Sequence, residues 1–396
     1  MKRTLFALGI LVGALTIATA PAQVVYSFEE PDMHGFANND DPITGWRVIQ
    51  SSTIGVTHGN YSMGFLWPEG VSGFRWLISD GNRDAKLPYL QISRKLLMDV
   101  TADATVPWTN MIVSLNDGAI GWRQTGFPVG LPREPGTRTV LLDLESLALP
   151  NPEDTEWFQI NFGLNTGATH RLYFDNMRLY RTACEMMAMD FETPGELYGF
   201  APDPDDTGVS VTWNNGKMRI ASTGGFHWIF NGTVPGLAAM VRRGDLVVMD
   251  VTVVSNVPWA NMILAINSSA GWGEGSYVAD ITFGGSGFTR TLALDYRDAT
   301  VPADDNDYCL LNLGINSGVP VTLDIDNIRI YRKAVEGDVN CDGCVDDADL
   351  LVVLLEFGGN NAAADLNQDG TVDDADLLIV LLNFGIPCED GDENCN

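Results

Sequence analysis

Asn161-Phe162-Gly163-Leu164-Asn165-Thr166-Gly167, followed seven residues later by Asp175-Asn176-Met177-Arg178-Leu179-Tyr180-Arg181, occurs twice in this chain. The second copy reads Asn312-Leu313-Gly314-Ile315-Asn316-Ser317-Gly318 and then Asp326-Asn327-Ile328-Arg329-Ile330-Tyr331-Arg332. Read outward, the correspondence continues. Phe28-Glu29 matches Phe191-Glu192, Gly35-Phe36 matches Gly199-Phe200, and Thr137-Arg138-Thr139 matches Thr289-Arg290-Thr291. Met98-Asp99-Val100-Thr101 with Val106-Pro107-Trp108 returns as Met249-Asp250-Val251-Thr252 with Val257-Pro258-Trp259. The register slips once, through an insertion in the first copy near Asn38 to Trp46. Residues 24–182 and 183–333 are therefore expected to be one domain written twice, not a short-period solenoid. Within each copy, short segments rich in Val, Ile, Leu, Phe and Trp are separated by clusters of Gly, Asn, Asp and Pro. That spacing predicts a mainly β chain with two tandem β-sandwiches, and it leaves jelly-roll and immunoglobulin-like topologies both open.

The ends of the chain say where it works. Lys2 and Arg3 precede an apolar run from Leu5 to Ile17, and Ala20-Pro21-Ala22 is a small-x-small site, so residues 1–22 read as a secretory signal cut after Ala22. No other stretch reaches the ~20 apolar residues of a membrane span. The mature chain is expected to be secreted, with no transmembrane span. The full sequence has 23 basic and 52 acidic residues, a net charge of -29, and no Lys or Arg follows Lys333. Nucleic acid and anionic membrane need a basic footprint, so neither is an expected partner.

Residues 334–396 carry a second, shorter duplication. Asp338, Asn340, Asp342, Gly343, Cys344, Asp346 and Asp349 recur as Asp365, Asn367, Asp369, Gly370, Thr371, Asp373 and Asp376. A calcium ion takes six to eight oxygens at about 2.3–2.6 Å. A twelve-residue loop supplies them from side chains at positions 1, 3, 5, 9 and 12 and from the carbonyl at 7, with glycine at 6 for the turn. Both loops meet that pattern, the position-7 carbonyls being those of Cys344 and Thr371. Two acidic helix N-caps would need only one such side chain each. Position 12 is Asp where an EF-hand has Glu, and an apolar run follows each loop (Leu350 to Phe357, Leu377 to Phe384) while none precedes it.

A duplicated loop-helix unit ending in Glu356-Phe357-Gly358 or Asn383-Phe384-Gly385 resembles the type I dockerin module of secreted polysaccharide-degrading assemblies. The resemblance implies a small α-helical calcium-binding domain and a cohesin-like or cell-surface protein partner. In that family loop positions 10 and 11 often make the contacts. Here they are Asp347-Ala348 and Asp374-Ala375, whose sameness would permit two binding modes related by two-fold symmetry.

The two long copies carry a resemblance of their own. The opening Phe-Glu strand, the segment Gly59 to Met63 and the closing strand begun by Asp-Asn resemble the galactose-binding-like jelly rolls that serve as carbohydrate-binding modules. The second copy departs from it with Asn215-Gly216-Lys217-Met218. The resemblance implies a polysaccharide ligand and a structural calcium shared by the first-strand acid and the last-strand Asp: Glu29 with Asp175, and Glu192 with Asp326. Hydrogen bonding of these Asp residues to backbone at a strand start is the alternative. Cys341, Cys344, Cys388 and Cys395 cluster in the C-terminal region, and Cys184 and Cys309 fall in the second copy, so a four-plus-two disulfide partition is expected. Zinc is the other use of four clustered thiols, but no His follows His227.

Sugars stack on aromatic faces while polar side chains read their hydroxyls. The tryptophans repeated in both copies, Trp76/Trp228, Trp108/Trp259 and Trp122/Trp272, read as core, and the unrepeated Trp46, Trp67, Trp157 and Trp213 as freer to be exposed. A glycosidase needs two carboxylates across a cleft. The repeated acids are spread one per element instead, and no Gly-x-Ser-x-Gly or His-Glu-x-x-His is present. The expectation is a non-catalytic glycan-binding protein. A structural protein with spacer sandwiches, or a polysaccharide hydrolase, is the alternative, and exposed aromatic patches would favour binding over spacing.

Overall fold

The computed structural model describes residues 24–387 except 30–32, 39–45, 71, 82–85, 126–128, 256, 282–286, 360, 362–363 and 368–370. Residues 1–22, expected from sequence to be a secretory signal, and Asp369, Gly370, Cys388 and Cys395 lie outside the described residues. Among those described, the chain forms two tandem β-sandwiches of jelly-roll type and a small helical module. No helix is long and apolar enough to cross a membrane.

In the first copy one sheet orders Gly136–Asp143, Lys95–Ala102, Arg171–Leu179, Ser62–Leu66 and Arg47–Ser51. This is the junction sheet, since its edge meets the second copy. The opposite, open sheet orders Ala37–Asn38, Gly73–Ile78, Phe158–Thr166, Thr109–Asp117 and Arg123–Gln124. The second copy repeats the plan. Its junction sheet runs Val209–Trp213, Met218–Ser222, Val321–Arg332, Gly244–Val253 and Thr289–Asp295. Its open sheet runs Ala201–Pro202, Gly225–Phe230, Cys309–Ser317, Ala260–Ser268 and Gly271–Asp280. The period-2 alternation of a strand explains the layering. Phe158, Ile160, Phe162 and Leu164 enter the core, while Gln159, Asn161, Gly163 and Asn165 turn to the other face. Burying each such apolar side chain contributes roughly 1.5–3 kcal/mol.

The repeated Asp-Asn-x-Arg is a lock on a bulge in each closing strand. The register against the neighbouring strand shifts between Asp175 and Arg178, and Asn176 there has φ 49°; its counterpart Asn327 has φ 48°. Asn is one of the few side chains that tolerate this left-handed backbone. Its amide donates to Asp99 at 3.2 Å, and Arg178 adds a bond to the same carboxylate at 3.3 Å. In the second copy Asn327 and Arg329 hold Asp250 at 3.2 and 2.8 Å.

The two copies meet about an approximate two-fold axis, because equivalent residues face one another. The backbone N–H of Thr139 donates to Asp295 at 2.6 Å, and that of Thr291 to Asp143 at 3.3 Å. Tyr180 stacks on its counterpart Tyr331 with ring centroids 4.7 Å apart. Leu97 and Leu141 share a buried cluster with their counterparts Val248 and Ala293. Each sheet edge, a row of unpaired N–H groups open to mispairing, is thus covered by an acid of the other copy.

Short helices α1 (Leu87–Ile92) and α2 (Leu237–Arg243) belong to the sandwiches, and α3 (Asp347–Leu355) and α4 (Asp374–Asn383) to the C-terminal module. Both α3 and α4 start with a capping box, formed by Asp346 with Asp349 and by Asp373 with Asp376. The module closes over its own core of Val339, Val345, Val353, Val372 and Val380. It is tied to the junction between the copies. Arg181 donates to the Val339 carbonyl, Arg332 lies over Gly343, and a disulfide joins Cys184 to Cys341. The four-plus-two partition is thereby overturned. Cys184 lies in the turn between the two sandwiches, where its Cα comes within 4.8 Å of that of Cys341, inside disulfide range. Cys309 points into the second sandwich's core as a free thiol, and burial pushes it up to about 12. Cys344 is also disulfide-bonded.

Candidate functional site

In the first acidic loop the side chains converge. Carboxylate oxygens of Asp338, Asp342 and Asp349 all lie within 4.8 Å of one another. Backbone donors shape the loop around them: Gly343 N to Asp338 at 2.9 Å, Cys344 N to Asp342 at 2.9 Å, Val339 N to Asp349 at 2.7 Å. Asn340 Oδ1 accepts from Asp342 N at 2.9 Å, and Asp346 accepts from Ala348 N at 2.8 Å at the head of α3. Burial, with Asp349 and Asp342 adding to it against the backbone donors, pushes the Asp338 carboxyl up to about 6. A hard divalent cation is the group that relieves such a cluster, so the donor set fits one. In the second loop Asp376 is fully buried and accepts from Asn367 N at 2.9 Å and Asp373 N at 2.8 Å, as Asp349 does in the first. Asp365 is also buried, and Thr371, at position 7 of the loop, is exposed.

The first- and last-strand acids behave differently in the two copies. Asp175 is gripped by donors from Thr57 (2.6 Å), His58 (2.8 Å) and Asn176 (2.7 Å), and burial still pushes its carboxyl up to about 7. Glu29 holds the same loop through Asn60 N and Tyr61 N, each at 2.9 Å. In the second copy Lys217 Nζ lies 2.8 Å from Asp326, which supplies a built-in cation there. Glu192 lies beside Gly216.

Four of the six repeated tryptophans, Trp108, Trp122, Trp259 and Trp272, are exposed and Trp76 and Trp228 are half-buried, against the expectation that they are core. On the outer face of the first open sheet, Phe74, Trp76 and Trp122 form a chain of edge-on rings, with centroids 5.2 and 4.7 Å apart. Phe226, Trp228 and Trp272 repeat it in the second copy at 5.2 Å for both pairs. Trp122 is 44% and Trp272 41% exposed. Of the unrepeated tryptophans, Trp157 and Trp213 are half-buried, and Trp46 and Trp67 are core, packed with Phe65 and with His170, whose imidazole burial lowers to about 4. The opening motif explains the difference. A Cβ on Gly163 would come within 2.5 Å of Phe74 and 2.9 Å of Trp76, and one on Gly314 within 2.9 Å of Phe226. The glycines exist so that rings can lie across the strand. Beside the rings stand amides: Asn110, Asn116, Gln159 and Asn165 in the first copy, Asn261, Asn267 and Asn316 in the second.

The repeated acids are engaged by the fold. Arg178, Arg297 and Thr139 outweigh the effect of burial on Asp99 and hold its carboxyl down at about 2. Asp250 is bonded to Asn327 and Arg329, and Asp143 and Asp295 cap the opposing sheet edges.

No protein-family model and no curated protein matches the chain. Among solved structures it is similar to the N-terminal CBM22-1-CBM22-2 tandem domain of Xyn10C from Paenibacillus barcinonensis. That match has 13% identity and a TM-score of 0.26, and covers 81% of this chain and 100% of that one. It is also similar to a family 11 carbohydrate-binding module from Clostridium thermocellum, with 13% identity and a TM-score of 0.28, covering 37% and 95%. A third is a carbohydrate-binding module specific for non-crystalline cellulose, CBM28, with 12% identity and a TM-score of 0.29, covering 41% and 96%.

Proposed function

We propose that this is a secreted, non-catalytic polysaccharide-binding protein, held to a protein partner or a cell surface by a calcium-loaded, dockerin-like C-terminal module. The observation that carries it is the paired outer face of the open sheets. The same three rings and the same kinds of amide are presented in both copies, with Trp122, Phe226 and Trp272 exposed and Phe74, Trp76 and Trp228 half-buried on an outer face where a spacer would have no use for them. Pyranose rings stack their C–H faces on Trp76, Trp122, Trp228 and Trp272, and the Asn and Gln amides beside them donate and accept with hydroxyls. Rings fixed edge-on to one another lose little freedom on binding.

In the C-terminal module Asp338, Asn340, Asp342, Asp346 and Asp349, with the Cys344 carbonyl, would hold one calcium. Asp365, Asn367, Asp369, Asp373 and Asp376, with the Thr371 carbonyl, would hold a second. The ions neutralise the buried acids and fix the starts of α3 and α4. Those helices leave equivalent apolar side chains exposed, Leu351, Leu354 and Leu355 on one and Leu378, Leu381 and Leu382 on the other. This doubled apolar face, with Asp347-Ala348 and Asp374-Ala375 at its end, suits a cohesin-like partner that can engage it in either of two orientations.

Affinity electrophoresis of the mature chain through gels containing soluble β-glucans, xylan and mannans tests the glycan half. Retardation in at least one gel, abolished in a Trp76→Ala/Trp228→Ala variant, is the expected result; migration unchanged in all of them defeats it.

A further inference from the structure

Trp108 and Trp259, which are equivalent in the two copies, line one cleft between them. The cleft has a volume of about 430 Å³ and is also bordered by Asn110, Asn261, Asn316 and Arg133. Each of the two tryptophans is 43% exposed. Each indole is seated on a glycine of the opening motif: a Cβ on Gly167 would meet Trp108 Nε1 at 2.5 Å, and one on Gly318 would meet Trp259 Nε1 at 2.6 Å. The Gly167 N–H also donates to the Trp108 carbonyl at 3.0 Å, so the ring is fixed from below.

Strand register connects this cleft to both aromatic faces. In the first open sheet Phe74 lies opposite Asn165, and Asn165 opposite Asn110, which enters the cleft. In the second, Phe226 lies opposite Asn316, and Asn316 opposite Asn261, both in the cleft. A ring, two amides, the paired indoles, two amides and a ring therefore follow one another across the junction. With neighbouring strands about 4.8 Å apart, each half of the row reaches about 10 Å from ring to cleft.

We propose that this cleft is a single composite binding site that holds one polysaccharide chain running from the first sandwich onto the second. The proposal rests on the glycan-binding reading above and deepens it. Two pyranosyl units of one chain stack on Trp108 and Trp259, and the flanking units are read by the amide rows. The copies then bind as one unit in place of two independent modules. The rigid junction, closed by the Thr139–Asp295 and Thr291–Asp143 bonds, holds the two indoles in register in advance.

Isothermal titration of the full mature chain in calcium, with length-graded oligosaccharides cut from a polysaccharide that retards it, separates the outcomes. The composite site predicts one long oligosaccharide per chain. It also predicts that Trp108→Ala and Trp259→Ala each weaken binding about ten-fold for the whole population. Trp259→Phe keeps an aromatic face and should stay within about three-fold of the parent, and thermal midpoints of all variants check that they fold. Two oligosaccharides per chain, with one retaining parental affinity in each single variant, overturns the composite site. So does parental affinity in Trp108→Ala/Trp259→Ala while Trp76→Ala/Trp228→Ala abolishes binding, an outcome that leaves the glycan reading standing. Failure of the parent chain to bind any of the polysaccharides overturns both.

Discussion

Asp245 stands in the second copy where the first has Arg94, at the junction between the sandwiches. Burial, with Asp295 and Asp99 adding to it against Arg178 and Arg297, pushes its carboxyl up to about 7. An unfolded Asp titrates near 3.9. The folded state therefore keeps a proton that the unfolded state has lost, and stability falls as pH rises from about 4 to about 7, then levels. Asp245→Asn should remove that fall, raising the thermal midpoint at pH 8 relative to the parent and leaving it equal at pH 4; parallel profiles would refute the assignment. A second residue-scale contrast lies on the open sheets. Asn161 donates to Ser114 at 3.3 Å, but its counterpart Asn312, fully buried, faces Ala265 across the strands, and its side-chain amide has no hydrogen-bond partner among the described residues. Ala265→Ser should restore the partner and stabilise the second sandwich by about 1 kcal/mol in urea unfolding. A destabilised variant would show that the amide is already satisfied.

At the scale of elements, the acidic loops and their helices were legible because metal-ligand spacing and helix capping are local in sequence. Asp349 and Asp376 each serve both as the twelfth loop residue and as the N3 side chain of a capping box. Asp338→Ala and Asp365→Ala should each remove one of two bound calcium ions in a calorimetric titration, and unchanged stoichiometry would refute the sites. The aromatic elements were misread for an instructive reason. Recurrence of Trp76, Trp108 and Trp122 shows that both copies need these rings, but core and surface can need them equally. The informative signal was the glycine spacing in Asn161 to Gly167, since Gly163 and Gly167 each leave room for a ring from another segment. That relation becomes visible only when strand pairing is known.

For the whole molecule, the duplicated sandwich could be read from the repeat, whereas the way its copies and the C-terminal module assemble could not. Cys184 and Cys341 are 157 residues apart in sequence, and counting cysteines by region assigned them to different sets. Closing a loop of that length restricts the unfolded chain by about 5 kcal/mol in the chain-entropy account. Cys184→Ser/Cys341→Ser should lower the thermal midpoint and expose residues 333–340 to proteases; equal protease resistance in calcium would show that Arg181 and Arg332 hold the module unaided.

The reciprocal bonds of Thr139 with Asp295 and Thr291 with Asp143 have the form of contacts in a two-fold homodimer, yet both partners belong to one polypeptide. Two separate subunits would come apart on dilution. Joined through the short segment around Thr182–Cys184, they see each other at a fixed, high effective concentration however few molecules are present. The duplication thus makes a symmetric assembly that cannot be diluted away.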